Sequence, residues 1–129
     1  MKPSPVHWFE IYVEDMERAR AFYEAVFRTT LVTLENPASE GSQGMEMWMF
    51  PAAQESPGCC GALVKMDGFG PGPGGTVVYF ESEDCAVEAG RVAEYGGTLL
   101  MPKFSIGEHG FCAMARDSEG NVIGLHSMQ

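Results

Sequence analysis

The amino-acid sequence predicts an α+β fold in which two tandem βαβββ modules form a curved mixed sheet around a cleft. A strand-like segment followed by a helical segment occurs near the N-terminus and again in the second half, each time before three more strand-like segments. A run of Gly and Pro separates the two halves. With 129 residues the chain has the length of one domain, 1–129, with module one at 6–66 and module two at 76–128.

The first strand and helix organise module one. Residues 7–13 alternate between two kinds of side chain, which predicts a strand, and residues 14–27 carry apolar side chains at helical spacing, with Asp15 as a predicted N-cap. We expect the aliphatic face of the strand to pack on the helix. The opposite face should then line the cleft, and it consists of Trp8, Glu10 and Tyr12.

Three further strands complete the predicted module one. The β-branched residues 29–34 and the segments 45–50 and 60–65 have strand-like composition or alternation. Residues 36–44 have the composition of a loop.

The Gly/Pro run at 67–75 predicts a linker. Its glycine density is similar to that of a nucleotide-binding loop, but its prolines remove amide donors and no phosphate-loop motif is present. We therefore expect it only to connect the two modules.

Module two repeats the order of module one. Residues 76–81 predict a strand and 85–95 a helix, which Gly96 and Gly97 should end. Three more predicted strands follow, at 98–101, 111–115 and 122–126, and residues 117–121 predict a tight turn before the last of them.

Charge and composition exclude several classes of partner. The chain has 8 basic and 18 acidic residues and a net charge of −10, which disfavours nucleic acid and anionic membranes and suits a cationic ligand. No apolar run approaches the roughly 20 residues that span a bilayer, so we expect a cytoplasmic protein. The four cysteines show no metal-binding spacing and are expected to be reduced.

Four segments together resemble the vicinal oxygen chelate superfamily, which includes glyoxalase I, bleomycin-resistance proteins and extradiol dioxygenases. These segments are Phe9–Phe27, Val78–Asp84, Glu94–Gly97 and Asp117–Leu125. The resemblance implies the glyoxalase/bleomycin resistance/dioxygenase fold, and the chain is similar to glyoxalase-like members of unassigned activity. It also implies a homodimer, because such folds often pair.

The resemblance also implies where a metal would be bound, and those places lack ligands. They fall on Trp8, on a position within Gly61–Leu63, on Val77 and on Gly124. None of these side chains coordinates a divalent ion, so no cofactor is expected at the standard site. A divalent metal remains possible at a nonstandard site formed by His126 with Glu10.

Two functions follow from these residues. In the first, the cleft binds a small organic molecule, with Trp8, Tyr12, Trp48 and Tyr79 as ligand-binding residues and Glu10 orienting the ligand. The alternative is a metal-dependent lyase or isomerase of glyoxalase type, with Glu10 and His126 as catalytic residues. Either residue could instead have a purely structural role, with Glu10 hydrogen-bonded to a tyrosine and His126 hydrogen-bonded to the backbone. A third possibility is a partner-binding domain without a ligand.

Overall fold

The computed structural model describes residues 2–34 and 45–129, so the predicted loop at 36–44 lies outside the described residues. The chain divides into two compact units. The first is Trp8–Thr76, and the second is Val77–Gln129 together with the N-terminal residues through His7. Eight strands, two α-helices and a short 3-10 helix (Gly107–His109) are described, and the strands and α-helices follow the order βαβββ twice. This confirms the predicted α+β class with two duplicated modules.

The first unit contains one helix and a four-stranded mixed sheet. Its elements are β1 (Val6–Tyr12), α1 (Met16–Phe27), β2 (Val32–Thr33), β3 (Glu46–Met49) and β4 (Cys60–Lys65). The strand order is β2-β3-β4-β1, with β1 parallel to β4 and the other pairs antiparallel.

Helix α1 begins at its predicted N-cap and ends at Arg28. Asp15 Oδ1 accepts a 3.0 Å hydrogen bond from Arg18 N, which confirms the predicted N-cap. At the other end Arg28 adopts a left-handed conformation with φ of 50°, which stops the helix. The core between helix and sheet contains Val13, Met16, Leu31 and Leu63, with Ile11 and Tyr23 against it. The aliphatic face of β1 therefore packs on α1, as predicted.

The second unit repeats this topology. Its elements are β5 (Thr76–Glu81), α2 (Cys85–Ala89), β6 (Thr98–Ser105), β7 (Phe111–Arg116) and β8 (Val122–Ser127). The order is β5-β8-β7-β6, and the first strand is again parallel to the last, while the other two pairs are antiparallel. In each unit, residues of the helix and of the last strand share one core, which here contains Cys85, Ala89, Ala113 and Leu125.

Three predicted elements have different lengths in the structure. The strand predicted at 29–34 is only Val32–Thr33, and the helix predicted at 85–95 ends at Ala89. Gly90 follows that helix, and glycine weakens helical conformation, so turns replace the predicted continuation up to Gly97. The strand predicted at 98–101 continues to Ser105, with a shift in its pairing register between Met101 and Phe104.

Neither described helix combines the length and the apolar character that a membrane-spanning helix requires.

The turn predicted at 117–121 is confirmed, because Asp117 Oδ1 accepts hydrogen bonds from Glu119 N and Asn121 N, both at 2.8 Å. The hydrogen bond from the Asn121 side chain, and after it these backbone bonds, lower the pKa of Asp117 below its ordinary value.

Candidate functional site

A buried carboxylate lies between two aromatic side chains on β1. Glu10 is 8% exposed, and its two oxygens accept one aromatic donor each. Trp8 Nε1 donates to Oε2 at 3.1 Å, and the Tyr12 hydroxyl donates to Oε1 at 2.8 Å. Strand alternation explains this grouping, since residues two apart point to the same face of a sheet. The structure thus brings together three of the residues that the sequence singles out.

The ring of Tyr12 has a stacking partner that sequence reasoning missed. Phe69 lies with its ring centroid 5.2 Å from that of Tyr12 and its plane inclined by 25°. Phe69 belongs to the Gly/Pro run that we expected only to connect the modules. Gly75, near the end of that run, accepts a 2.7 Å hydrogen bond from Tyr12 N. Within its unit, the run therefore positions an aromatic side chain beside the Glu10 group.

The neighbouring strand β4 presents small side chains to this face. Ala62 is paired in register with Glu10, and Cys60 with Trp8. Cys60 is half-buried and not in a disulfide, and its position beside Trp8 was not anticipated. Strand pairing between distant segments places it there, and composition carries no signal of such pairing.

Trp48 lies on the other face of the sheet. It is in register with Leu63, and it packs against the core cluster under α1. The Arg20 guanidinium carbon is 3.4 Å from its ring centroid, a cation–π contact, and its Nε1 donates to Glu46 at 3.0 Å. The prediction that Trp48 lines the same surface as Glu10 is corrected accordingly, because the pairing register turns it toward the helix.

His126 is held by two oxygen acceptors in the second unit. Its Nδ1 is 2.8 Å from Glu81 Oε1, and its Nε2 is 2.6 Å from the backbone carbonyl oxygen of His109. A second histidine, His7, places its Nδ1 3.5 Å from the other oxygen of Glu81. Residues from the N-terminal segment, β5 and β8 thus meet at one carboxylate.

The contacts of His126 disfavour metal binding by its ring. A metal ligand must offer a lone pair, but both ring nitrogens of His126 already face an oxygen. Among residues 2–34 and 45–129, no group of three or more His, Cys, Asp or Glu side chains could hold an ion. The residues at the implied ligand places do not fit a metal either, since their side chains offer no nitrogen or oxygen donor that metals bind.

The ring of Tyr79 covers the last of those places. A Cβ atom added at Gly124 would lie 2.2 Å from Tyr79 Cδ1, so the ring occupies the space beside the glycine backbone. Tyr79 and Gly124 are neighbours in register on β5 and β8. Tyr79 is buried and belongs to the second unit, as does His126, whereas Trp8, Glu10 and Tyr12 belong to the first. The two groups therefore belong to different units.

A cavity of about 590 Å³ is present elsewhere in the first unit. It is lined by the acidic start of α1 together with Arg18, Glu46 and Lys65. Its walls are mostly exposed charged side chains, and the Glu10 group is not among them. We base no ligand assignment on this cavity, because solvated charges alone do not define a binding site.

Comparison with known proteins agrees with the architecture. Residues 6–27 match the family model described as bleomycin resistance protein-like N-terminal. No curated protein matches the sequence.

Three solved structures show the similarity of fold. Methylmalonyl-CoA epimerase from Mycobacterium tuberculosis has a TM-score of 0.66 and 16% identity, over 100% of this chain and 93% of that one. A variant of the Streptomyces coelicolor methylmalonyl-CoA epimerase, in complex with 2-nitronate-propionyl-CoA, has a TM-score of 0.63 and 17% identity, over 95% and 93%. A hypothetical protein from Bacillus halodurans has a TM-score of 0.69 and 13% identity, over 99% and 96%.

At these identities the structural neighbours establish the fold and not the activity. Together with the N-terminal match they support the resemblance to the vicinal oxygen chelate superfamily found in the sequence, and they show that this chain shares the fold of these neighbours.

Proposed function

We propose that this protein binds a small organic molecule at the face formed by Trp8, Glu10 and Tyr12, without the superfamily's standard metal site. The observation that carries the proposal is the buried Glu10 carboxylate, fixed by one aromatic donor on each oxygen. Burying a carboxylate is costly, and the two aromatic donors fix the orientation of this one. A role in orienting a bound ligand would explain why a carboxyl group occupies this buried position.

The chemistry of the face indicates the class of ligand. The half-buried ring of Trp8 and the exposed ring of Phe69, which stacks on the buried Tyr12, offer flat apolar surface to an aromatic or aliphatic group. The Glu10 carboxylate would bind an ammonium, amidinium or amide N–H of the same molecule. The net charge of −10 attracts cations and therefore favours a positively charged ligand.

The comparisons are consistent with a ligand-binding role. One neighbour is an epimerase in complex with a CoA derivative, and the N-terminal match is to bleomycin resistance-like proteins. A fold with these relatives supports small-molecule binding here, and the ligand is proposed from this chain's own residues.

In this proposal Glu10 also accepts or donates a proton if the bound molecule reacts. Tyr79 and His126 belong to the second unit, where Tyr79 is paired in register with Gly124 and His126 with Glu81. A lyase or isomerase with a metal at His126 would require that ring to give up its bond to Glu81 or to His109. No observation favours that exchange, so we rank the metal-dependent enzyme second.

Thermal shift and calorimetry test the binding proposal. A panel would contain flat organic cations, neutral analogues of equal shape, CoA thioesters, and Zn²⁺, Mn²⁺ and Ni²⁺ alone. We expect an organic cation to raise Tm, because a ligand that binds the native state stabilises it. Glu10→Gln should weaken that ligand at least tenfold while the protein stays folded, and Glu94→Gln, an exposed carboxylate outside the first unit, should leave the affinity unchanged.

Two results would overturn the proposal. One is a panel in which only a metal raises Tm. The other is a ligand whose affinity is equal in wild type and Glu10→Gln.

The cytoplasmic location expected from the sequence stays a prediction, and subcellular fractionation checks it.

A further inference from the structure

A small hollow lies in the second unit, between the turns that follow α2, the end of β7 and the start of β8. Its volume is about 200 Å³. An apolar cavity of about 150 Å³ is already large enough to bind benzene, so this one has room for a single ring or a branched aliphatic group. Its mostly apolar lining consists of Val92, Tyr95, Gly97, Ala115 and Ile123, together with Arg116, Asp117 and Ser118. We call it the Tyr95 hollow.

The early end of α2 shapes the Tyr95 hollow. The helix stops at Ala89, and the turns that follow it carry Val92 and Tyr95. Gly97 N donates a 2.9 Å hydrogen bond to the Val92 carbonyl oxygen. A Cβ atom added at Gly97 would lie 2.6 Å from the Arg116 carbonyl oxygen, so glycine at this position lets the turns lie directly against the end of β7. The hollow is thus part of the packing between these turns and the sheet.

Tyr95 forms an aromatic wall that is open to solvent. Its side chain is 74% exposed, whereas Ala115 is buried and Ile123 is half-buried in the same lining. A single exposed apolar residue needs no explanation, but an exposed ring at the edge of a concave apolar surface is typical of a ligand site. A tyrosine ring offers a ligand apolar contact area, and its hydroxyl can stay in water.

Arg116 supplies a positive charge to the lining. Its Nη1 donates a 3.1 Å hydrogen bond to the Gly120 carbonyl oxygen. In the part of the chain that the structure describes, no carboxylate oxygen lies within 4.0 Å of its guanidinium nitrogens. A guanidinium has five N–H donors in a planar fork, which matches the two oxygens of a carboxylate. Donors therefore remain for an acidic ligand.

The acidic residue of the lining is engaged by its own turn. Asp117 Oδ1 accepts hydrogen bonds from Glu119 N and Asn121 N, and its Oδ2 accepts one from Asn121 Nδ2 at 3.0 Å. The net charge of −10 opposes anions at long range, but salt screens charges that lie beyond a Debye length of about 8 Å. Contact with Arg116 therefore decides which ligand charge is favoured at the hollow.

We propose that the Tyr95 hollow binds a small organic acid, which places one ring or branched chain in the hollow and its carboxylate on Arg116. The proposal rests on an apolar concave surface beside an arginine that has no acidic partner among the described residues. The hollow is separate from the Glu10 group and belongs to the other unit, so it does not depend on the function proposed above. A ligand of about ten non-hydrogen atoms should bind with a Kd in the millimolar range.

An NMR titration of the full chain with phenylacetate tests the site. Phenylacetamide has the same shape without the charge and is the matched ligand. We expect phenylacetate to shift the backbone amide signals of Val92, Gly97, Ala115 and Ile123 with one common Kd. Phenylacetamide should bind about three- to tenfold more weakly, because it lacks the charge-assisted bond to an exposed arginine.

Three variants separate the two parts of the site. Arg116→Gln should abolish the preference for phenylacetate and leave the affinity for phenylacetamide unchanged. Arg28→Gln makes the same change of net charge at an exposed arginine of the first unit, and the preference should persist. Tyr95→Ala should weaken both ligands by a similar factor, with Tm near that of the wild type because the removed side chain is exposed.

Four results would overturn the proposal. The amides of the hollow could show no saturable shift at phenylacetate concentrations well above a millimolar Kd. The wild type could bind both ligands equally. The preference for phenylacetate could survive unchanged in folded Arg116→Gln. Tyr95→Ala could bind phenylacetate as tightly as the wild type does.

Discussion

The hydroxyl of Tyr12 donates a 2.8 Å hydrogen bond to Glu10 Oε1, and both side chains are buried. The bond joins alternate residues of a single strand, and Trp8 completes the group from the other side. Because the partners are two residues apart, this arrangement is already present once β1 is extended. Its environment, however, depends on the strand and the loop that cover it, which contribute Ala62 and Phe69.

Removing the Tyr12 hydroxyl should destabilise the protein. Tyr12→Phe leaves a buried carboxylate oxygen without that donor, and the loss is expected to lower the free energy of unfolding by about 1–3 kcal/mol. Urea unfolding followed by fluorescence measures the change. Tyr95→Phe is the matched control, since Tyr95 is 74% exposed and its variant should stay within about 0.5 kcal/mol of wild type. Equal effects of the two substitutions would contradict a structural role for the Tyr12–Glu10 bond.

His126 and Glu81 should be energetically coupled. Their 2.8 Å contact predicts that His126→Ala, Glu81→Ala and the double variant depart from additivity by about 0.5–3 kcal/mol in a double-mutant cycle. His109→Ala is the control, because it removes an exposed side chain but keeps the carbonyl that contacts His126. An additive cycle would show that the His126–Glu81 contact contributes nothing to stability.

The acid limb of the stability curve should depend on Asp84. The hydrogen bond from Lys103 Nζ at 2.9 Å and that from Ala86 N hold the pKa of Asp84 below its ordinary value. Because the folded pKa is lower than the unfolded pKa, this group stabilises the fold at pH values above its unfolded pKa. That contribution is lost as pH falls through the folded pKa.

Asp84→Asn should therefore flatten the fall in Tm across that acidic window while still capping α2. Lys103→Met removes the largest cause of the shift and should flatten the same limb in part. Differential scanning calorimetry from pH 6 to pH 2 makes the comparison. If the wild type and Asp84→Asn curves run parallel, this carboxylate is not responsible for the acid dependence.

Gly124 should tolerate no side chain while Tyr79 is present. The added Cβ of Gly124→Ala would meet the Tyr79 ring at 2.2 Å, so the strand or the ring must move, at a cost of about 1–3 kcal/mol. In a Tyr79→Leu background the same substitution should be less destabilising. Gly70→Ala is the control, because nothing lies within 4 Å of its added Cβ. Chemical denaturation of the wild type, the two single variants, the double variant and the Gly70→Ala control gives the comparison. An unchanged stability in Gly124→Ala would contradict this close packing.

Local pattern in the sequence accounts for most of the architecture. Alternation along residues 7–13 predicts which face of β1 meets the helix, and Asp15 and Asp117 predict a helix start and a turn that the structure confirms. These features could be predicted because each depends on residues within one turn of helix or a few positions along a strand. The duplicated order of elements likewise follows from composition and spacing alone.

Partners distant in the chain could not be predicted in the same way. In the strand that carries Trp48, one face has Glu46 and Trp48 and the other has methionines, so alternation leaves open which face turns to the helix. The pairing of Trp48 with Leu63 decides it. Phe69 is an aromatic residue in a turn-rich run, and its stacking on Tyr12 follows from where that run lies.

By itself the sequence determined the two βαβββ modules, the N-cap of α1 and the grouping of Trp8, Glu10 and Tyr12 on one face. Tertiary structure alone decided that Trp48 turns away from that face, that Phe69 stacks on Tyr12, and that His126 bonds to Glu81 and to the His109 carbonyl. The physical reason is the distance along the sequence between the residues that must contact each other. Periodicity is fixed between neighbours along the chain, whereas the side chains that meet across strands depend on a pairing register that only the folded chain sets.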